Sequence, residues 1–259
     1  MPGGGAGRVE AGEATFGNPA AGTVTNGVDA GGVEGLGGIP KAVARRLEWV
    51  LAFPSGRRCG YEPLQRLSDL LVIGATLPLW LTLIGICCLI MKIESPRDPA
   101  VYRSWRTGRH GQRFRMYKIR TMIRNADRLL PDLMHLSQQP WPEIKIRDDP
   151  RVTRFGHILR RTHLDELPQL FNVIRGDMCL VGPRPTSASV DCYEAWHRDR
   201  LRVKPGITGL WQILQHDVNH FDIRVRLDIL YIDRCCWRLD MLILLRTIGR
   251  VLAAGRSAA

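Results

Sequence analysis

The chain has 259 residues, 45% of them hydrophobic, with 37 Lys and Arg against 25 Asp and Glu. That composition excludes a wholly disordered chain and leaves room for one ordinary domain with its own core, plus a tail. The net charge of +12 predicts a polyanionic partner: nucleic acid, an anionic membrane surface or a phosphate-bearing substrate.

Residues 1–40 hold 13 of the 26 glycines and a single Arg8 against four acids. They read as a disordered Gly-rich tail, and they leave +15 on residues 41–259. Residues 41–63 read as an amphipathic helix and a linker. Val43, Leu47 and Val50 repeat at helical spacing until Pro54-Ser55-Gly56 breaks the pattern. Apolar sequence begins only at residue 64, so no secretory signal is expected. The seven cysteines form no CxxC pair and are expected as reduced, mostly buried thiols with no structural metal.

Residues 70–91 carry no charge, and 22 residues of helix reach roughly 33 Å, enough to span a bilayer. Two features argue against a crossing. Pro78 lies in the interior, where it removes a backbone hydrogen bond. Basic residues flank both sides, including Arg57, Arg58 and Arg66 before the segment and Lys92, Arg97 and Arg103 after it. Positive flanks stay cytoplasmic, so both ends belong on one side. A membrane anchor over 64–93 that dips in, breaks at Pro78 and returns satisfies both observations.

The remainder, 94–259, reads as a mixed domain. Residues 113–120 alternate as a strand, with Phe114, Met116, Lys118 and Arg120 on one face. Residues 123–136 have helical spacing around Leu129, Leu130, Leu133 and Met134, interrupted by Pro131. Residues 151–162 place Val152, Phe155, Ile158 and Leu159 on one helical face. A second short helix covers 166–175 and ends at Gly176. Met178–Val181 suits a strand, Pro205-Gly206 a type II turn, and 227–252 a helical stretch.

Three groupings can carry chemistry. In Thr162-His163-Leu164-Asp165-Glu166-Leu167-Pro168, the proline marks a helix's first turn, so Asp165 and Glu166 stand at or just before its N-terminus. The helix dipole favours their ionised forms there, although an acidic pair at such a position is also an ordinary cap. An ionised Asp is a competent nucleophile, and a neighbouring carboxylate can hold a divalent metal. In Gly182-Pro183-Arg184-Pro185, flanking prolines stiffen the loop that presents Arg184, which suits bidentate contact with phosphate or an ordinary surface turn. Lys118, Arg120, Arg160 and Arg161 make a basic set that suits a diphosphate, a membrane or a solvated face. Nucleotide-binding GxxxxGK[ST], GxSxG, HExxH and GxGxxG patterns are missing.

Together these strings resemble a known family. DDPRVTRFGHILRRTHLDELPQLFNVIRGDMCLVGPRP at 148–185 is similar to the bacterial sugar transferases, the monotopic polyprenyl-phosphate phosphoglycosyl transferases. RTGRHGQRFRMYKIRTM at 106–122, VKPGITGLWQ at 203–212, and Leu227, Asp228 and Tyr231 extend the resemblance. It implies an α+β, mainly helical, monotopic membrane protein of the small type, with one re-entrant membrane helix and a small cytosolic catalytic domain. It further implies transfer of a phosphosugar from a nucleoside diphosphate sugar, usually a UDP-sugar, to polyprenyl phosphate (undecaprenyl phosphate), with UMP leaving. Asp165 is then the nucleophile that forms an aspartyl-phosphosugar, Glu166 the Mg²⁺-associated partner, and Arg184 a phosphate ligand. Lys118, Arg120 and Arg160 match family basic positions nearby. The implied location is the cytoplasmic face of the bacterial cytoplasmic membrane, in the initiation of an exopolysaccharide or O-antigen. Nucleic acid is not an expected partner.

The chain departs from the family pattern at three places. Leu77 replaces the Ser before the membrane proline, Ser104 replaces a Gln, and Leu214-Gln215-His216 replaces Ser-Gly-Arg. These changes leave an alternative: an inactive, membrane-bound relative that binds lipid phosphate or nucleotide sugar as a scaffold.

Overall fold

The computed structural model describes residues 39–55, 61–137, 146, 148–217 and 220–256. The expected tail, except Ile39 and Pro40, and the linker residues 56–60 lie outside the described residues. Pro40 leads into α1 (Lys41–Arg45), followed by α2 (Glu48–Leu51). The predicted apolar spacing holds: Val43, Leu47 and Val50 are essentially inaccessible and belong to one core with Ile213, Leu214 and Ile243.

α3 (Tyr61–Glu94) is a single 34-residue helix. One stripe of it is buried, through Asp69, Ile73, Trp80, Ile84, Cys87 and Met91, at steps of three, four and seven. Leu67, Leu71, Leu79, Leu89 and Ile93 are each more than half exposed, an apolar surface that water does not favour. The window Leu77–Glu94 is long and apolar enough to cross a membrane.

The expected break at Pro78 is not an interruption of the helix, which continues across it. Side chains answer the carbonyls around the lost amide. The Trp80 indole donates to the Ile73 carbonyl at 3.1 Å, and Thr76 to Val72 and Thr82 to Pro78 at 2.7 Å each.

Both ends of α3 grip the same domain. Near its start, Gln65 donates to the Val181 carbonyl at 3.0 Å, Arg66 to Ile174 at 2.7 Å, and Asp69 accepts from the Leu180 amide at 3.1 Å. Near its end, Cys87 and Met91 pack with Ile119 and Leu159, and Glu94 accepts from the Thr153 hydroxyl at 2.9 Å.

β1 (Val101–Thr107) and β2 (Arg113–Ile119) form an antiparallel hairpin in which Lys118 faces Tyr102. β2 was expected; β1 was not, because Tyr102 and Trp105 are both exposed and give no alternation. The helix expected over 123–136 is instead a four-residue α4 (Leu130–Leu133) between two 3₁₀ turns. Leu129, Met134 and Leu136 stay exposed, so no core face exists to extend it.

α5 (Arg154–Thr162) is capped by Thr153, whose hydroxyl accepts from the Gly156 amide at 3.0 Å. Its predicted face is partly wrong. Leu159 is fully buried, but Ile158 is 55% exposed. The bare Cα of Gly156 lies against the Thr121 carbonyl, which turns the buried line through Gly156 and Leu159.

α6 (Gln169–Arg175) ends, as expected, at a left-handed Gly176. β3 (Cys179–Val181) pairs in parallel with β4 (Gly206–Thr208). The sequence suggested only a turn at Pro205-Gly206; the residues form a strand because Gly182 and Gly206 bring two backbones into direct contact, where any side chain would collide. The helical stretch expected over 227–252 is two helices, α7 (Phe221–Arg234) and α8 (Trp237–Arg256), separated where Cys235 turns extended.

Candidate active site

His163, in a left-handed conformation at φ 58°, stops α5 and turns the chain into a 3₁₀ turn, Leu164–Glu166. Pro168 then starts α6. Asp165 and Glu166 therefore stand just before a helix, as the sequence implied, but they differ in their surroundings.

Both Glu166 oxygens are engaged. Lys118 donates to Oε1 at 2.9 Å, Arg184 Nη1 to Oε2 at 3.1 Å, and Arg184 Nη2 closes a bidentate pair on Oε1. Burial works against the charge, but Arg184 and Lys118 hold the Glu166 carboxyl far below the usual carboxylate range. Asp165 is 6% exposed, with Lys118 at 3.9 Å from Oδ2. Burial raises its pKa, Lys118 lowers it, and the charge of Glu166 raises it again. The dipole was expected to keep both acids ionised. In the structure side-chain cations do so for Glu166, while desolvation pushes Asp165 the other way.

The structure brings Lys118, Arg160 and Arg184 together around the pair. Arg160 Nε donates to the Thr121 hydroxyl at 2.9 Å, and its charge faces Asp165 and Asp149. Asp149 is itself clamped by Arg151, at 2.9 and 2.7 Å. Arg120 is engaged elsewhere. It donates to the carbonyls of Pro99 and Met122 at 2.9 and 3.0 Å and ties the end of β2 to the turn after α3. Three cations against two carboxylates leave the pocket with an excess positive charge, suited to an anion.

The Arg184 loop is held from behind by residues that carried no signal as a set in the sequence. Arg200 Nη2 donates to the Arg184 carbonyl at 2.8 Å and pairs with Asp228 at 2.7 Å, both side chains buried. The Tyr231 hydroxyl, one turn beyond Asp228 on α7, lies 2.8 Å from Asp240 Oδ1 and 3.1 Å from the Val181 carbonyl, with one proton to share between them. Asp228 and Tyr231 were quoted only as part of a string; Arg200 and Asp240 sit in runs with nothing to mark them.

Among the described residues, no group of three or more His, Cys, Asp and Glu side chains is placed to hold a metal. Asp165 and one lone pair on Glu166 Oε2 are the donors on offer. That set suits a Mg²⁺ ion carried by a ligand's phosphates, which needs only one or two carboxylates, and not a preformed all-protein cage.

A carboxylate beside a clamped partner, ringed by cations on a domain that grips an apolar helix at both ends, defines an anion-handling site beside a helix apolar and long enough to cross a membrane. Residues 60–254 match the family described as bacterial sugar transferase. The chain is 40% identical over 185 residues to galactosyl transferase CpsE of Streptococcus agalactiae, covering 70% of this chain and 41% of that protein. It is 37% identical over 190 residues to exopolysaccharide production protein ExoY of Sinorhizobium fredii, covering 71% of this chain and 82% of that one. It is also 37% identical over 198 residues to UDP-glucose:undecaprenyl-phosphate glucose-1-phosphate transferase of Caulobacter vibrioides, covering 73% and 69%. The chain belongs to the bacterial sugar transferase family. It spans about two fifths of the streptococcal relative.

Proposed function

We propose that this chain transfers a phosphosugar from a UDP-sugar to a membrane polyprenyl phosphate and releases UMP. The observation that carries this reading is the buried Asp165 beside Lys118, with Arg160 and Arg184 flanking and Glu166 fixed at its side. The names of the relatives from Caulobacter and Sinorhizobium support the substrate class and a role in exopolysaccharide synthesis.

An Asp165 oxygen attacks the β-phosphorus of the UDP-sugar. The bond from that phosphorus to the bridging oxygen breaks, the electron pair leaves on UMP, and an aspartyl-phosphosugar remains. An oxygen of the polyprenyl phosphate then attacks the same phosphorus, which frees the Asp165 carboxylate and yields a polyprenyl diphosphosugar. Lys118, Arg160 and Arg184 neutralise phosphate oxygens in both steps, and positioning with charge neutralisation is most of what phosphoryl transfer requires. Mg²⁺, when bound with the diphosphate against Glu166 Oε2, supplies further neutralisation of phosphate charge. Arg120, in this reading, supports the site by fixing the end of β2.

α3 is read as a re-entrant anchor. Gln65 and Glu94 are 29 residues apart and both bond to the same domain. On a straight crossing helix they would stand about 44 Å apart, on opposite sides of a hydrocarbon layer about 30 Å thick. Attachment of both ends to one domain supports an anchor that enters and returns to the same face, with α3 bending where Pro78 removes a backbone hydrogen bond.

The test is UMP release from a panel of UDP-sugars with Mg²⁺ and undecaprenyl phosphate in detergent, comparing wild type with Asp165→Asn. Release by wild type alone supports the transferase and identifies the sugar. Equal background from both proteins across the panel overturns it in favour of a binding role.

A further inference from the structure

Asn172 lies inside α6, where a short polar side chain competes with the helix for backbone hydrogen bonds, and it is fully buried. Its carboxamide is engaged on every side. Nδ2 donates to the Arg115 carbonyl at 2.8 Å and to Asp177 Oδ2 at 3.2 Å, and Oδ1 accepts from the Tyr117 amide at 3.0 Å. β1 pairs with one edge of β2. On the other edge this one side chain stands in for a third strand, answering a carbonyl and an amide on either side of the buried Met116.

The residue after Tyr117 is Lys118, whose Nζ is 2.9 Å from Glu166 Oε1 and 3.9 Å from Asp165 Oδ2. The acid pair leads through Pro168 directly into α6. A closed ring results: α6 follows the two acids, and Asn172, one turn along it, holds the strand that bears their shared cation. The Asn172 main-chain carbonyl also accepts from the amides of Asp177 and Met178, at 3.0 and 3.3 Å, and so fixes the entry to β3. Arg175 makes a second link, to the Tyr117 hydroxyl at 2.9 Å, but through an exposed side chain and not through the backbone of β2.

We propose that Asn172 is a positioning residue that holds Lys118 at the Asp165–Glu166 pair. None of its bonds goes to either acid; it acts through the backbone of β2. A lysine ammonium rides on a flexible four-carbon stem, so its placement depends on a fixed Cα. The assignment deepens the transferase reading and rests on it.

The test compares UMP release by wild type, Asn172→Ala, Lys118→Gln and the double variant, on the UDP-sugar that wild type uses. Asn172→Ala should lower kcat at least about tenfold, as misplacement of a charge by about 1 Å implies. On the Lys118→Gln background the same change should cost less than about twofold, because the group it positions is gone. Equal losses on both backgrounds would mark a structural role only and overturn the proposal, as would full turnover by Asn172→Ala. If Asn172→Ala folds poorly, Asn172→Asp, which keeps the acceptor for Tyr117 and loses the donor to Arg115, is read through the same cycle. Hydrogen exchange gives a readout apart from turnover. The Tyr117 amide should exchange at least about tenfold faster in Asn172→Ala than in wild type, and unchanged exchange overturns the contact on which the proposal stands. Absence of UMP from wild type is a failure of the transferase reading, and the exchange result then decides whether Asn172 holds β2.

Discussion

Arg200 donates to the main-chain carbonyl of Arg184 at 2.8 Å while its guanidinium is paired with Asp228. The arginine that clamps Glu166 is thus positioned through its backbone by a second, buried arginine. Removing Arg200 leaves Asp228 charged and without its cation in the interior. Arg200→Gln is expected to cost about 3–5 kcal/mol of stability and to loosen the Arg184 loop. Replacing both members with apolar residues should recover much of the stability and not the UMP release. Thermal unfolding measured beside turnover checks both halves.

Glu166 sets the charge balance of the pocket. Glu166→Gln keeps the shape but frees Lys118 and Arg184 from a carboxylate that they share. UMP release is expected to fall at least about 10²-fold, with stability changed far less, because the interaction lost belongs to the reacting geometry. Unchanged turnover would remove Glu166 from the mechanism.

The pH dependence follows from two raised carboxyl groups. In the proposed reaction Asp165 must be ionised to attack, and burial raises its pKa, so turnover should fall on acidification at a higher pH than an ordinary carboxylate would give. Asp240 is pushed up to about 7 by burial, despite hydrogen bonds from Tyr61, Tyr231 and Gln65. Its folded form holds the proton more tightly than its unfolded form, so its contribution favours folding as pH falls from about 7 toward 3.8 and is lost above 7. Asp240→Asn should flatten that part of the stability profile between pH 8 and 6, as urea unfolding at several pH values would record.

Gly206 tests the contact that carries β3 and its Arg184 loop. A methyl there would meet the Gly182 backbone, which has no flexible end to move. Gly206→Ala should destabilise by at least about 3 kcal/mol and lower turnover with it, since strands forced apart shift Arg184.

Topology has its own test. In a cysteine-free background, Glu62→Cys and Ile93→Cys, both at exposed positions, should react with an impermeant maleimide added from the cytoplasmic side only. Labelling from opposite sides would replace the re-entrant anchor with a crossing one.

The parts of this fold that were legible in sequence have a local cause. Gly176 ends a helix by its backbone freedom, Pro168 starts one, and Phe114 and Met116 on one face of β2 mark the strand, although Ile119 is buried on the other. Prolines placed the Asp165–Glu166 pair before a helix and Arg184 on a stiff loop, but both strings became legible as chemistry only through the family resemblance. What escaped depends on partners far away in the chain. β4 exists only because Gly182 meets Gly206, and Ile158 faces outward only because Gly156 meets Thr121. Likewise the raised Asp165 pKa arises from burial that no string encodes, and Arg200 acquires its role from Asp228, on another helix.

The staples on α3 also order events in time. Gln65 is translated 116 residues before Val181 and 175 before Asp240, two of its partners. At about 5–20 residues per second, the helix waits roughly 10–35 s for the last of them. Throughout that interval Gln65 and Tyr61 lack Asp240, while Asp69 meets the Leu180 amide earlier, 111 residues after it is made. The apolar helix is therefore made as a half-finished clasp, and its contacts to Asp240 close only once α8 has been translated.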